Sequence, residues 1–207
     1  MPECPTCGAE IPADDAGCEA CTPAPPVQLP PSLAVSAGGG ELRIEWRWLA
    51  WTAYLMAFVC AIWFVFLGAW FLLAATAGSR TLVMFALLHV AAGVVLIYAT
   101  AAMFVNRTRI VVSGGRLTVA LGPLPWPGNR DIPTASLEQL YSVEHVQRTR
   151  GGTTITYSVR ARVRGGGAVK LATGLSERDQ ALYIEQVIER HLGIPDEGPY
   201  KDAEARR

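Results

Sequence analysis

From Trp48 to Asn106 the chain passes through 59 positions with one charge, Arg80. Arg80 divides this apolar block into two stretches, 48–79 and 81–106, each longer than the roughly 20 residues that cross a bilayer core. Two spans are therefore predicted, at about 48–75 and 81–105. Their polar interruptions are Thr52 and Tyr54 in the first and His89 and Thr100 in the second. None carries a full charge, which would cost roughly 2.5–3.5 kcal/mol at mid-span. The connector Thr76-Ala-Gly-Ser-Arg80 is too short for anything but an antiparallel pair, a transmembrane hairpin over 46–105.

Past the second span the pattern changes to period two. Arg109-Ile-Val-Val-Ser, the turn Gly114-Gly115 and Arg116-Leu-Thr-Val-Ala-Leu read as a β-hairpin. Gly122-Pro-Leu-Pro-Trp-Pro-Gly128 follows, a loop whose three prolines exclude central-strand pairing. Further strands are expected at 139–146, 153–164 and 168–173, with glycine turns between them. Ser176-Glu-Arg-Asp179 has capping-box form and opens a helix in which Ala181, Ile184, Val187, Ile188 and Leu192 share a face; Gly193 and Pro195 end it. Strands closed by one amphipathic helix give an α+β half-barrel over 106–194, with a frayed tail at 195–207.

Before the spans, residues 23–45 are rich in proline and then glycine, which reads as a linker, stiff and then flexible. Ahead of that, Cys4-Pro-Thr-Cys7 and Cys18-Glu-Ala-Cys21 form two CxxC pairs ten residues apart. Cys4, Cys7, Cys18 and Cys21 suit one tetrahedral zinc, and residues 1–22 contain a single large aliphatic residue, Ile11, too little for a core. A small zinc ribbon is expected, its ion structural because all four positions are protein ligands. Two disulfides are the rival reading, disfavoured on a reducing side of the membrane. The fold class is thus a multidomain membrane protein of zinc ribbon, hairpin and half-barrel.

Charge sets the topology. Arg43, Arg47, Arg107, Arg109 and Arg116 flank the hairpin ends against Arg80 alone in its turn, so both termini are expected on the cytoplasmic side. Met-Pro-Glu-Cys at the start lacks a basic n-region and an apolar h-region, so the first span is expected to act as its own insertion signal. Trp46, Trp48 and Trp51 at one end and Trp70 toward the other read as interfacial anchors. The first 40 residues hold five acidic side chains and no Lys or Arg, which argues against nucleic acid as a partner and for a protein. Small residues around Gly93 in the second span would allow helix association, including a homo-oligomer.

Residues 106–193 resemble the bacterial pleckstrin-homology-like domains that follow transmembrane hairpins. Moreover, Asn106-Arg-Thr-Arg, Gly122-Pro-Leu-Pro-Trp-Pro-Gly-Asn129, Gln139-Leu-Tyr141 and Ala181-Leu-Tyr-Ile-Glu-Gln186 are similar to a family of bacterial membrane proteins with an N-terminal zinc ribbon. The resemblance covers nearly the whole chain and implies a fold and a setting, not a reaction.

Nothing in the sequence assembles a catalytic constellation: the metal cluster is closed, His145 and His191 have no partner signature, and the spans hold no Asp, Glu or Lys. His89 is expected to bond a carbonyl and Cys60 to pack. No enzyme is expected. A basic run of Arg148, Arg150, Arg160, Arg162, Arg164 and Lys170, with Trp126 in the proline loop, is the candidate contact for anionic lipid or a protein partner. The expected role is a non-catalytic inner-membrane adaptor; the alternative is an accessory subunit of an oligomeric transport or channel complex.

Overall fold

The computed structural model describes residues 26–149 and 152–195. Cys4, Cys7, Cys18 and Cys21, expected to hold zinc, together with Arg150 and the tail from residue 196, lie outside them. The chain divides into two units, one built from residues up to 46, 109–120 and 128 onward, the other from 47–108 and 121–127.

Among the described residues, eight strands, a short 3-10 turn at Thr134–Ser136 and one α-helix make the body of the first unit. The strands are β1 (Ala34–Gly38), β2 (Glu41–Arg47), β3 (Arg107–Ser113), β4 (Arg116–Gly122), β5 (Arg130–Pro133), β6 (Leu137–Thr149), β7 (Gly152–Val163) and β8 (Ala168–Leu175), with the helix of Arg178–Leu192 after them. Five strands pair in the order β1-β2-β3-β4-β5 and three in the order β6-β7-β8. The expected hairpin turn at Gly114-Gly115 is present, both glycines at positive φ (55° and 74°), a backbone that L-residues with a Cβ resist.

The principal correction concerns 23–45. Residues 34–47 are no linker but a second β-hairpin, turning at Gly39-Gly40, with Leu42 and Ile44 in the core at 2% and 0% exposure. Alternation decides it: Leu42, Ile44 and Trp46 face inward while Glu41, Arg43, Glu45 and Arg47 alternate with them. Trp46 accordingly packs against the core and is not an interfacial anchor. One core draws Leu42 and Ile44 together with Ile110, Leu117, Leu140, Val159, Ala161 and the helix residues Ala181, Ile184 and Ile188. The α+β domain is therefore completed by strands from both sides of the apolar block.

The second unit holds the block itself. Helices α1 (Trp51–Ala77) and α2 (Arg80–Val105) are long and apolar enough to cross a membrane, and only 6% and 11% of their most apolar stretches are buried within the chain, unlike a core helix of a soluble protein. The connector shrinks to Gly78-Ser79, because both helices run into the five residues expected to turn: Gly78 takes the left-handed conformation at φ 60° and Ser79 caps α2. Buried residues recur every seven positions, Ala53, Cys60, Leu67 and Ala74 on α1 and Ala86, Gly93 and Thr100 on α2. This is the period of a close antiparallel seam. Of the small residues around Gly93, Ala91 and Ala92 are exposed and take no part in it.

The last helix, α3 (Arg178–Leu192), begins differently from expectation. Glu177 is its N-cap and makes no side-chain cap bond, so the Ser176–Asp179 capping box does not form; Gly193 closes the helix at φ 69°.

Candidate functional site

Two clusters of polar contacts stand out, and each brings together motifs that are far apart in sequence. At the end of α2, Asn106 is 1% exposed and its carboxamide reads the backbone of the proline loop: Nδ2 donates to the Leu124 carbonyl (3.1 Å) and the Leu124 N–H donates to Oδ1 (2.8 Å). Tyr98 donates its hydroxyl to the Pro125 carbonyl. Trp126 lies edge-on to Trp48 (5.4 Å between centroids, 84°) and parallel to Tyr98 (6.5 Å, 6°). Trp48 is held in turn by donation from its indole to Thr108 Oγ1 (2.8 Å) and from its backbone to the Asn106 carbonyl (3.2 Å). Trp126 is thus a half-buried plug that fastens residues 121–127 to the helix ends, and Trp48 is a packing residue more than an anchor. Trp51, by contrast, is 79% exposed.

The second cluster runs along α3. Gln180, Glu185 and Glu189 are buried beside the apolar stripe, at 7%, 6% and 2% exposure. Glu189 Oε1 accepts from Gln139 Nε2 (3.1 Å) and from the Leu140 backbone N–H (3.2 Å), and Ser142 donates to Glu185 Oε2. These bonds satisfy an outward N–H of β6, an edge strand of its sheet. Gln180 Nε2 donates to Ser32 Oγ (2.6 Å), and the Val27 N–H donates to Gln186 Oε1 (3.1 Å), binding the segment before β1 to the helix. The sequence reading missed the three buried polar residues; their signal is Glu185 and Glu189 at i, i+4, each one position after a core isoleucine.

The basic residues do not form one patch. Arg160 and Arg162 sit on β7, register partners of Tyr141 and Gln139 on one side, and of Lys170 and Ala168 on the other. One sheet face therefore gathers Arg160, Arg162 and Lys170, while Val159 and Ala161 alternate into the core. Both arginines are half-buried, and neither is without a partner. Since β7 is the central strand of its sheet, its charges do not serve to protect an edge. Arg148 is exposed on the far half of the β6–β7 hairpin and faces the other way, in register with Thr153; Arg164 lies just past β7.

Ion pairs elsewhere use the arginines of the flanks. Arg109 meets Glu45 across β3 and β2 (3.1 Å), and Arg43 meets Glu41 (3.0 Å). Arg116 grips Asp131 with two nitrogens, both at 2.7 Å, and this hydrogen bonding holds the Asp131 carboxyl below the usual carboxylate range and raises Arg116.

Within α2, His89 Nδ1 lies 2.9 Å from the Phe85 carbonyl, among the rings of Trp63, Phe66 and Phe85. Cys60 Sγ is 3.2 Å from Thr100 Oγ1 in the seam. His145 Nε2 pairs with Ser158 Oγ at 2.8 Å across β6 and β7. Set against protein-family models and against curated proteins, the chain finds no match.

Proposed function

We propose that this chain is a non-catalytic adaptor of the bacterial inner membrane, with a pleckstrin-homology-like α+β domain and a structural zinc ribbon that recruits a cytosolic protein. One observation carries the topology. The apolar helix pair is inserted between β2 and β3, which are neighbours in one sheet. Such a sheet can close only if the residues before α1 and after α2 lie on the same side of the bilayer. The excess of arginine at the hairpin ends favours the cytoplasmic side.

Two observations support an adaptor. Buried polar groups on α3 are engaged with β6 of the same domain, Gln139 with Glu189 and Ser142 with Glu185, which is the pattern of a scaffold. The two CxxC pairs have the spacing of a closed zinc site, and Cys60, buried in the helix seam, is no part of it. Protein partners are favoured over nucleic acid by the acidic N-terminus, and the face bearing Arg160, Arg162 and Lys170 suits an acidic peptide or anionic lipid.

Reporter fusions after residue 25, at Gly78 and after residue 195 test the topology: cytoplasmic, external and cytoplasmic readings are expected, and termini on opposite sides overturn it. Affinity capture from solubilised membranes tests recruitment. Replacing Cys4, Cys7, Cys18 and Cys21 by serine is expected to remove a partner, and identical partner sets with and without the cysteines defeat that reading.

A further inference from the structure

The loop that joins β4 to β5 clusters with the helix pair and not with the strands it connects. It is bonded to α2 at Tyr98 and just past the helix end at Asn106, so it lies along the last two turns of that helix. Those turns expose Tyr98, Phe104 and Val105, part of the apolar helix surface that a bilayer covers. Residues 121–128 contain no charged side chain. Pro123, Pro125 and Pro127 are exposed, while Leu124 and Trp126 between them are half-buried.

The backbone of this loop is fitted to a dry setting. Hydrocarbon offers no partner to a peptide group, so irregular chain at membrane depth survives only where its polar atoms are matched or missing. Both devices operate here. Three prolines remove the N–H from half of residues 122–127. Of the groups that remain, the Leu124 N–H and C=O are both paired with the Asn106 carboxamide, and the Pro125 C=O accepts from the Tyr98 hydroxyl. A proline-rich ligand for a protein groove presents the opposite, a backbone left fully solvated. Trp126, parallel to Tyr98 and edge-on to Trp48, completes a group of amphipathic rings of the kind that settles at headgroup level.

We propose that residues 122–127 form a membrane-inserted loop, seated in the boundary between acyl chains and headgroups beside the last two turns of α2, held there by Asn106 and Tyr98 with its prolines against lipid. Its ligand is the bilayer that the helices cross. The chain then meets the membrane at the start of α1, at the end of α2 and between β4 and β5, and this third attachment limits how far the α+β domain can swing about the other two. The inference rests on one part of the function proposed above, that α1 and α2 span, and not on the zinc ribbon or on recruitment.

The test places the photo-crosslinker benzoylphenylalanine at position 125 or 127 of the full chain in nanodiscs of phosphatidylethanolamine and phosphatidylglycerol, and mass spectrometry scores covalent phospholipid adducts. Position 95, where Val95 is 69% exposed on α2, reports the span, and position 153, where Thr153 is exposed on β7, reports the domain. Adducts at 125 and 127 are expected within about threefold of the yield at 95 and at least about tenfold above that at 153, the contrast between lipid and water as surroundings. Yields at 125 and 127 no higher than at 153, with adducts present at 95, overturn the insertion of the loop alone; no adducts at 95 overturn the spanning helices on which it rests. Asn106→Ala is expected to lower the yield at 127 at least about threefold with position 95 unchanged, because two unmatched peptide groups drive the loop toward water. A yield at 127 indifferent to that change overturns the holding role given to Asn106.

Discussion

Asn106 shows how much one side chain decides here. Its carboxamide supplies one donor and one acceptor to Leu124, the pairing a neighbouring strand would offer, and it is almost fully buried. Asn106→Ala removes both and leaves a backbone N–H and C=O unmatched, at a cost of about 1–3 kcal/mol. Amide exchange of residues 121–128 should then rise on the order of ten- to hundredfold with β7 unchanged; unaltered exchange in the loop would show that the aromatic contacts alone hold it. At the opposite extreme of burial is the Arg116–Asp131 pair, half-exposed and of little consequence for stability. Its signature is a titration. The Asp131 carboxyl sits below its ordinary value of about 3.9, so whatever the pair contributes is complete above that value and is lost as pH falls through the lowered one. Arg116→Gln should move the Asp131 midpoint upward in a carbon-detected NMR titration, and a midpoint that stays put would refute the assignment.

Among the elements, the helix seam makes the sharpest claim. A seven-residue repeat places Cys60 against Thr100 at 3.2 Å and brings Trp63 so close to α2 that a Cβ on Gly93 would lie 3.0 Å from its indole nitrogen. With the four N-terminal cysteines replaced by serine, Thr100→Cys is expected to form a disulfide with Cys60 under mild oxidation, whereas Ala101→Cys is not; peptide mapping decides. Adding Gly93→Leu should lower the yield by displacing Trp63. The elements also divide by legibility. The spans were readable because an uncharged run of that length has few other uses, and β3, β4 and α3 because their periodicity is uninterrupted. β5 was not: four residues containing Asp131 and Pro133 carry no strand signal, and pairing with β4 alone makes them one. The capping box was misleading in the other direction: α3 begins one residue later than Ser176 would set it, with Glu177 at the N-cap and no side-chain bond there.

For the whole molecule, insertion of the helix pair into a sheet makes a strong demand. A fragment starting at residue 107 lacks β1 and β2, and with them Leu42 and Ile44, both essentially inaccessible to solvent. Such a fragment should be insoluble or unfolded by circular dichroism. Residues 26–47 joined to 107–195 through a four-residue glycine-containing turn should instead be soluble, monomeric and cooperatively folded without detergent, because β2 and β3 are already neighbours. If the 107–195 fragment alone folds as well as the joined one, the first two strands are ornaments on the domain and not part of its core.

What the sequence determined by itself was local: which residues are oily for long enough to span, where glycine pairs turn, and which strands alternate, since each follows from neighbours within one element. Even the missed hairpin at 34–47 was written there, in Glu-Leu-Arg-Ile-Glu-Trp-Arg, though proline and glycine around it outweighed the alternation. Tertiary structure alone decided that β2 pairs with β3 across some sixty intervening residues, that the Asn106 and Trp126 motifs close on one another, and that Glu185 and Glu189 turn inward. Those outcomes depend on hydrogen-bond partners distant along the chain, and a buried polar group settles where its partner is supplied, which no stretch of sequence displays.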